Sequence, residues 1–276
     1  MSNYIIRPLT IDDALEASEI WTQVFGDDER LVFEFYRLFS HQYGFGMCAE
    51  LDGKLVATAY CPEDMYYVEP DGTEHAGAYL YAVATLPAHR KHGLAKKMCH
   101  ALLDIAWEQG KEFVFTKPSE ESLYDWYEEK VGMIPAMGGR TLHFTAKKEG
   151  YMPFMQLLPD AYLELRTKYL EGLPHVRQSI WWLKWEQNLH DFYGGGFYAV
   201  GDYIVDMYHD GSTLQINEML PHPTPETAEE VCYALMTIAG AEKCSCTIYG
   251  DEKYVSVAAN QCDIPKNNPW FGPCFG

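Results

Sequence analysis

The feature that most constrains the fold of this chain is a change of hydrophobic period between residues 76 and 116. Residues 76–85 read as one long strand, and residues 112–116 as another. Between them, apolar residues recur at helical spacing. These are Leu94, Met98, Ala101, Leu102 and Ile105. Gly110 then follows the last helical turn as a stop signal. The order strand, loop, helix, strand predicts a mixed sheet flanked by helices, and hence an α/β fold.

Turn signals divide the rest of the first 146 residues. The polar stretch 10–13 predicts the start of a helix that runs toward Phe25. The pairs Asp52-Gly53 and Asp71-Gly72 each predict a hairpin. A further helix is predicted over about residues 120–130 with Gly132 at its end, followed by a hairpin through Gly138-Gly139 to residue 146.

A charged stretch with glycine and proline, residues 147–153, predicts a domain boundary. We therefore expect one domain over residues 1–148 and a second over 149–276. In the second, the sequence predicts helices over 161–170, 179–189 and 226–239, and strands over 197–200, 203–208, 213–220 and 244–249. This order resembles the middle of the first half, which indicates a weak internal repeat of elements.

The charge of the chain argues against several classes of partner. Twenty-one Lys and Arg residues against forty Asp and Glu residues give a net charge of −19, which repels a phosphate backbone or an anionic membrane. The longest uncharged apolar run, residues 231–241, is shorter than the ~20 residues of a membrane span. No secretory leader pattern is visible in residues 1–15. We predict a cytoplasmic protein without nucleic-acid or membrane partners.

Eight cysteines are few for this length, and a chain of this size needs no disulfide framework. Cys244 and Cys246 are two residues apart on a predicted strand, so both side chains lie on the same face. This arrangement suits either a metal site or buried thiols. No second pair of ligands lies at zinc-site spacing. We therefore predict reduced, buried thiols and no metal.

The most informative segment is the loop that joins residue 85 to the helix at residue 94. A helix start exposes unpaired N–H groups and the positive end of its dipole, and Gly93 lets a ligand approach the main chain. Four cations lie within eight residues of this acidic chain, and His89 and His92 lie beside them. The cations are Arg90, Lys91, Lys96 and Lys97. This local reversal of charge predicts an anionic ligand such as a pyrophosphate.

The string Arg90-x-x-Gly93-x-Ala95, after a strand ending Val83-x-Thr85, resembles the acyl-CoA-binding motif of the GNAT acetyltransferase superfamily. The wider string from Leu86 to Leu94 is more specifically similar to tandem GNAT proteins of the enhanced intracellular survival type. The resemblance covers about residues 3–146. It implies a GNAT fold and an N-acetyltransferase that uses acetyl-CoA.

The resemblance also implies which residues hold the donor. The pantetheine would pair as an added strand with the backbone of Val83, Ala84 and Thr85, and the pyrophosphate would meet the N–H groups from Lys91 to Lys96. The implied acetyl-CoA-binding residues are Val83, Ala84, Thr85, Arg90, Lys91, His92, Gly93, Leu94, Ala95 and Lys96.

Acyl transfer to an amine needs a proton for the departing thiolate, and a tyrosine can supply it. The superfamily usually places this tyrosine on the helix predicted over residues 120–130, where Tyr124 and Tyr127 are both candidates. Both would also suit a packed helix face. The base is left open between an acidic residue, a water relay and the C-terminal carboxylate at Gly276, which the resemblance brings into the cleft.

The second half resembles the degenerate half of the tandem proteins. Between its predicted strand 213–220 and helix 226–239 stand Pro221, Pro223 and Pro225, which lack the N–H groups that a pyrophosphate would use. We expect this half to complete the acceptor pocket. The acidic, aromatic-rich composition favours a small cationic amine as acceptor. Acetylation of a protein or peptide, and an acyl-CoA-binding module without turnover, are the alternatives; monomer and homo-oligomer both stay open.

Overall fold

The computed structural model of the protein describes residues 3–38, 42–147 and 149–273. They form two compact units, each assembled from separate stretches of the chain. The first takes its described residues from Met1–Tyr67, His75–Pro135 and Ser256–Ile264. The second takes them from Val68–Glu74, Ala136–Val255 and Pro265–Gly276. The predicted boundary at 148/149 therefore lies within the second unit.

Strands and helices alternate through the N-terminal half of the chain. The strands are β1 (Ile5–Pro8), β2 (Gly44–Leu51), β3 (Lys54–Pro62), β4 (Met65–Val68), β5 (Glu74–Tyr79), β6 (Tyr81–Thr85), β7 (Phe113–Thr116) and β8 (Ile134–Thr145). The helices are α1 (Ala14–Phe25), α2 (Glu29–Leu38), α3 (Leu94–Glu108) and α4 (Glu121–Val131). The predicted helix toward Phe25, both Asp-Gly hairpins and the helices before Gly110 and Gly132 are confirmed. Helix α2 is not among the predicted elements.

The first unit contains two sets of paired strands. The strands β1, β2, β3 and β6 form one sheet in that order, with antiparallel neighbours. In the other set, β5 pairs in parallel with β7, and residues 256–259 pair antiparallel with the other edge of β7. The predicted strand over residues 76–85 is therefore two strands, β5 and β6, which belong to different sheets.

The core of the first unit lies between α3 and the sheet that contains β2 and β3. The predicted apolar stripe of α3 supplies Leu94, Met98 and Leu102, all of which are buried. Burying a side chain of this size contributes roughly 1.5–3 kcal/mol. This packing fixes the helix against the sheet and thereby fixes the position of its first turn.

The remaining elements follow β8. The strands are β9 (Phe154–Leu157), β10 (His175–Arg177), β11 (Gly195–Val200), β12 (Tyr203–Asp210), β13 (Thr213–Leu220), β14 (Lys243–Tyr249) and β15 (Glu252–Ala259). The helices are α5 (Pro159–Tyr169), α6 (Ile180–Tyr193) and α7 (Pro225–Ala239). The three predicted helices and four predicted strands are confirmed, whereas β9, β10 and β15 are not among the predicted elements. Cys244 and Cys246 on β14 are buried free thiols, as predicted.

The second unit repeats the strand order of the first. In it, β9, β11, β12 and β13 are antiparallel neighbours, and β13 runs parallel to β14 across helix α7. Strand β8 lies on the other side of β14. In the first unit, β1, β2, β3 and β6 correspond to β9, β11, β12 and β13. Helix α3 and strand β7 then correspond to α7 and β14.

The predicted hairpin at Gly138-Gly139 is wrong, because β8 passes through both glycines without turning. The glycines serve close packing instead. A side-chain carbon at Gly138 would overlap the carbonyl of Gly250, and one at Gly139 would lie 2.9 Å from the ring of Tyr254. Paired glycines therefore gave a turn signal where the structure needs the absence of side chains.

Candidate functional site

Two strands of the first unit part at Leu80. Up to Tyr79, β5 pairs with β7, and the N–H of Leu80 still donates to the carbonyl of Phe115 at 2.7 Å. The Thr116 hydroxyl donates to the Leu80 carbonyl at 3.0 Å. From Tyr81 onward the chain pairs with β3 instead, so β6 and β7 diverge at their carboxyl ends. Ligands bind typically at such a divergence in α/β sheets.

Strand β6 carries a bulge next to this divergence. Its pairing with β3 shifts between Thr58 and Tyr60, so that Ala82 and Val83 lie opposite a single residue. Ala82 has a φ of +50°, a conformation that costs a non-glycine residue about 1 kcal/mol or more. Such strain is maintained only where the surrounding structure imposes it, and it clusters at functional sites.

Side chains from other elements hold the loop that follows β6. The Arg90 Nε donates to the Thr85 carbonyl at 3.2 Å. The Tyr4 hydroxyl lies 3.1 Å from Nδ1 of His89, and its ring lies 5.2 Å from that of His92. Both histidines therefore contact Tyr4 and anchor the loop near β1.

The loop ends at Gly93, which begins α3 with a φ of +73° and without a side-chain cap. A side-chain carbon added there would meet nothing within 4 Å, so a ligand has space beside the backbone. The first bond of the helix runs from the N–H of Lys97 to the Gly93 carbonyl. The preceding helical N–H groups have no acceptor within the helix. They belong to Leu94, Ala95 and Lys96.

The charges at this helix start oppose its dipole. Arg90, Lys91, Lys96 and Lys97 are exposed, and the first turn holds no acidic residue. Each cation near a helix N-terminus is unfavourable by about 0.3–1 kcal/mol. A bound anion would remove that penalty and pair with the same N–H groups.

The two tyrosines of α4 differ in their surroundings. Tyr127 is part of the apolar core, and its ring packs edge-on against Trp126 at 5.0 Å. Burial raises the pKa of the Tyr127 phenol; the neighbouring Cys99 adds to the rise, and a hydrogen bond with Thr116 opposes it. These surroundings are those of a structural side chain.

Tyr124 is also buried, but it is not among the buried residues of the core that contains Tyr127. Only residues 117–120 separate β7 from α4, so the helix starts beside the carboxyl end of β7. Tyr127 is level with Thr116, the last residue of β7. Tyr124 shares its helix face and lies about 4.5 Å closer to the helix start. It therefore lies beyond the end of β7 along the helix axis.

The structure thus brings most of the predicted site residues into one unit. The predicted donor residues lie on β6, the loop and the first turn of α3, and both tyrosines lie on α4. Gly276 lies outside the described residues. No sequence signal marks Tyr4, the break at Leu80 or the bulge at Ala82, because none of these residue types is typical of such a position.

The corresponding place in the second unit is built differently. The segment 221–225 contains three prolines without N–H groups. The Thr224 hydroxyl caps α7 by accepting from the N–H of Thr227 at 3.3 Å. Glu226 occupies the first turn, and a hydrogen bond from its own backbone N–H lowers the pKa of its carboxyl. This helix start already has its cap and its own anion.

The strands β13 and β14 also diverge, after Ile216 and Cys246. Trp270, from the C-terminal segment of the second unit, fills the place between them. Its Nε1 donates to Glu218 on β13 at 2.6 Å, and its ring lies 6.4 Å from that of Tyr249 on β14. The indole is fully buried, so this divergence is occupied by the protein itself.

A buried ion pair holds that segment. Arg166 Nε lies 2.9 Å from a carboxylate oxygen of Glu218, and both side chains are fully buried. The guanidinium also donates to the carbonyls of Val176 and Phe271, at 2.9 and 3.1 Å. The hydroxyl of Tyr162 donates to the same carboxylate at 2.5 Å. Each guanidinium nitrogen and both carboxylate oxygens thus have a hydrogen-bond partner, which a buried pair needs.

Neither a metal cluster nor a spanning helix is seen in the described part of the chain. No group of three or more His, Cys, Asp or Glu among the described residues is placed to hold a metal. None of the described helices combines the length and the apolar character needed to cross a bilayer.

Residues 5–128 match the family model described as the acetyltransferase (GNAT) domain. Residues 5–128 therefore form a GNAT acetyltransferase domain. The matched residues include β6, the cationic loop, α3 and both tyrosines of α4. The domain is that of an acetyl-CoA-dependent acyltransferase. Comparison with curated proteins finds no match.

Solved structures share the fold over nearly the whole chain. A probable N-acyltransferase from Enterococcus faecalis V583 has a TM-score of 0.65 and 12% identity, covering 94% of this chain and 73% of its own. A GCN5-related N-acetyltransferase from Kribbella flavida has a TM-score of 0.65 and 14% identity, and the match covers 94% of this chain and 71% of that one. Eis1 from Mycobacterium abscessus has a TM-score of 0.63 and 11% identity, and the match covers 92% of this chain and 73% of that one. At these identities the similarity establishes the fold alone, and it confirms the predicted GNAT-type α/β class.

Proposed function

We propose that this chain is an N-acetyltransferase that moves the acetyl group of acetyl-CoA to the primary amine of a small cationic molecule. The observation that carries the proposal is the uncapped, cation-rich start of α3 beside the divergence of β6 and β7. Residues 1–148 supply the donor site, and residues 149–276 supply a degenerate half that completes the acceptor pocket.

The donor would bind mainly through the main chain. Strand β6 is the outer strand of its sheet among the described residues, so one edge of Val83–Thr85 is available to the pantetheine amides. The pyrophosphate would accept from the N–H groups at the start of α3, with Arg90, Lys91 and Lys96 around it. The space beside Gly93 fits this approach.

The chemistry needs one proton donor on the enzyme. The neutral amine attacks the thioester carbon, the tetrahedral intermediate collapses, and the carbon–sulfur bond breaks. The Tyr124 hydroxyl gives its proton to the departing thiolate, while the new ammonium loses a proton to a base or to water. Tyr124 is favoured over Tyr127 because it lies beyond the end of β7, whereas Tyr127 is held in the core.

The acceptor class follows from charge. The solvent side of α4, around Tyr124, is acidic in a chain of net −19. Its exposed acids are Glu120, Glu121, Asp125, Glu128 and Glu129. Such a field concentrates cations and disfavours an acidic acceptor.

The donor site is tested by thermal stabilisation with CoA and acetyl-CoA. Ligand at about 100 times its Kd adds about 2.7 kcal/mol to the free energy of unfolding. Gly93→Asp puts bulk and charge at the closest approach and should abolish the shift. Gly110→Asp is the matched control, since Gly110 also has a positive φ and open space but lies at the other end of α3. An equal shift in wild type and Gly93→Asp contradicts the donor site.

The acid is tested by paired substitutions. Tyr124→Phe should lower kcat about 100-fold or more and leave CoA binding intact. Tyr127→Phe should leave kcat within a few-fold but lose about 1 kcal/mol of stability with its hydrogen bond. The reverse pattern would reassign the acid to Tyr127, and a double variant with undiminished turnover would remove tyrosine from the mechanism.

The remaining alternatives have their own readouts. Adding two residues after Gly276 should lower turnover if the terminal carboxylate is the base, and unchanged turnover removes it. Cationic small amines and basic peptides are compared as acceptors by kcat/KM, and faster acetylation of peptides would contradict the small-molecule acceptor. Tight CoA binding without turnover on any amine would indicate a binding module.

A further inference from the structure

Strand β9 is an outer strand with an apolar, uncharged surface. It lies outermost beside β11 in the described part of the sheet. Residues 150–159 contain no charged side chain, although the chain has a net charge of −19. The large side chains along this stretch are exposed: Tyr151 by 78%, Phe154 by 51%, Met155 by 63% and Leu158 by 75%. Exposed apolar side chains gathered along an outer strand indicate an interaction surface.

The outer strand β1 of the first unit shows how this protein protects an edge. It is four residues long, as is β9, so length does not distinguish them. Strand β1 carries Arg7, which forms ion pairs with Asp13 at 2.8 Å and Glu50 at 3.0 Å, and it ends in Pro8. Charge and proline are the usual protections of an edge strand. Strand β9 has neither within its bounds, although Pro153 precedes it and Pro159 follows it, so the contrast with β1 lies mainly in charge.

We propose that β9 is the contact through which two copies of this chain pair antiparallel about a two-fold axis. Such pairing places the same uncharged residues opposite one another, so that the contact adds no like charges. Elsewhere, two acidic copies repel each other. The stretch 150–159 therefore adds no charge of its own to the contact, and the Glu149 carboxylate beside it accepts a hydrogen bond from the Tyr151 hydroxyl.

The exposed area suits a dimer of modest affinity. The four apolar side chains leave on the order of 500 Å² exposed per copy, so a two-fold contact would bury on the order of 1,000 Å² in total. That value is the lower limit for specific interfaces. We expect a dimer that dissociates on dilution.

The test is the mass of the full chain in solution, measured by sedimentation across a wide dilution series. Wild type should shift from dimer to monomer on dilution. Met155→Lys and Phe154→Lys should weaken the dimer by about tenfold or more, because like charges then face each other. Ile5→Lys on β1 is the matched control, since Ile5 and Phe154 are equally exposed at 51%, and it should leave the dimer unchanged.

Backbone hydrogen exchange provides a second readout. Exchange at residues 154–157 should slow with concentration in wild type but not in Met155→Lys, while stabilisation by acetyl-CoA confirms that each variant is folded. A wild type that is monomeric at every concentration overturns the proposal and leaves this edge for a different chain. A dimer that both lysine variants retain, or that Ile5→Lys disrupts, also overturns it.

Discussion

The helices α3 and α7 hold the same place in the strand order of their units, but they begin in opposite ways. Helix α3 starts at Gly93 without a cap, and cations surround its free N–H groups. Helix α7 starts with the Thr224 cap, prolines that lack N–H groups and the carboxylate of Glu226. The first turn of α3 contains no acidic residue, whereas the first turn of α7 contains Glu226.

The strands beside these helices differ in the same sense. In the second unit, Trp270 fills the place where β13 and β14 part, and the Arg166–Glu218 pair holds it. In the first unit, β6 carries the strained Ala82 where it parts from β7. The two units thus differ both at the helix start and at the divergence of the strands, and each prediction below tests one side of this contrast.

The largest effect should come from breaking the buried pair of the second unit. Glu218→Leu leaves the Arg166 charge without its partner and should lower the free energy of unfolding by about 3–5 kcal/mol. Denaturant unfolding measures it. The double variant Arg166→Met/Glu218→Leu removes both charges and should recover only the part of the loss that comes from the unpaired guanidinium, because the Tyr162 hydroxyl and Trp270 Nε1 lack their acceptor in both variants. A double variant no more stable than Glu218→Leu would show that the segment is held by other contacts.

The next effect is a pH dependence centred on His222, which packs against Trp270 at 5.2 Å. Burial, with a smaller effect of Arg166, lowers the pKa of His222 from 6.5 to about 4. Between these values the unfolded chain binds a proton that the folded chain does not, so stability is full above pH 6.5 and falls as the pH drops toward 4.

The loss that His222 causes over this range should be about 3 kcal/mol. His222→Phe keeps a ring against Trp270 and removes the titration, so its stability should fall less between these pH values. His175 also has its pKa lowered to about 4 by burial, and it should cause the loss that the variant retains. Parallel stability curves for wild type and His222→Phe would contradict the assignment.

The sequence predicted the parts of this contrast that local chemistry encodes. The glycine-bearing cationic loop before α3 and the prolines before α7 both mark helix starts by residue type. It did not predict the break at Leu80 or the bulge at Ala82, since both arise from pairing with different strands. The role of Trp270 could not be predicted either, because it depends on contacts with Glu218 of β13 and Tyr249 of β14, which are distant from it in sequence.

A smaller effect should follow from removing the cap of α7. Thr224→Ala leaves the N–H of Thr227 without its acceptor and should cost about 1 kcal/mol of stability. Thr224→Ser keeps the hydroxyl and should stay close to wild type. Thermal unfolding compares the three proteins, and equal loss in both variants would show that the cap is not the cause.

The smallest effect should have the opposite sign at α3. Lys96→Ala and Lys97→Ala each remove a cation from the positive end of the dipole and should stabilise the ligand-free protein by about 0.3–1 kcal/mol. Lys168→Ala is the matched control, because Lys168 lies in the last turn of α5, where a cation is favourable, and its removal should destabilise.

Acetyl-CoA should reverse this order. If the lysines at α3 pair with the phosphates of the saturating ligand, Lys96→Ala and Lys97→Ala should become less stable than wild type. The stability difference between Lys168→Ala and wild type should stay the same. High salt should reduce these differences, because screening weakens exposed charge interactions. If the two α3 variants destabilise the free protein as well, the cations already have partners within the fold, and the contrast between α3 and α7 would no longer indicate a ligand.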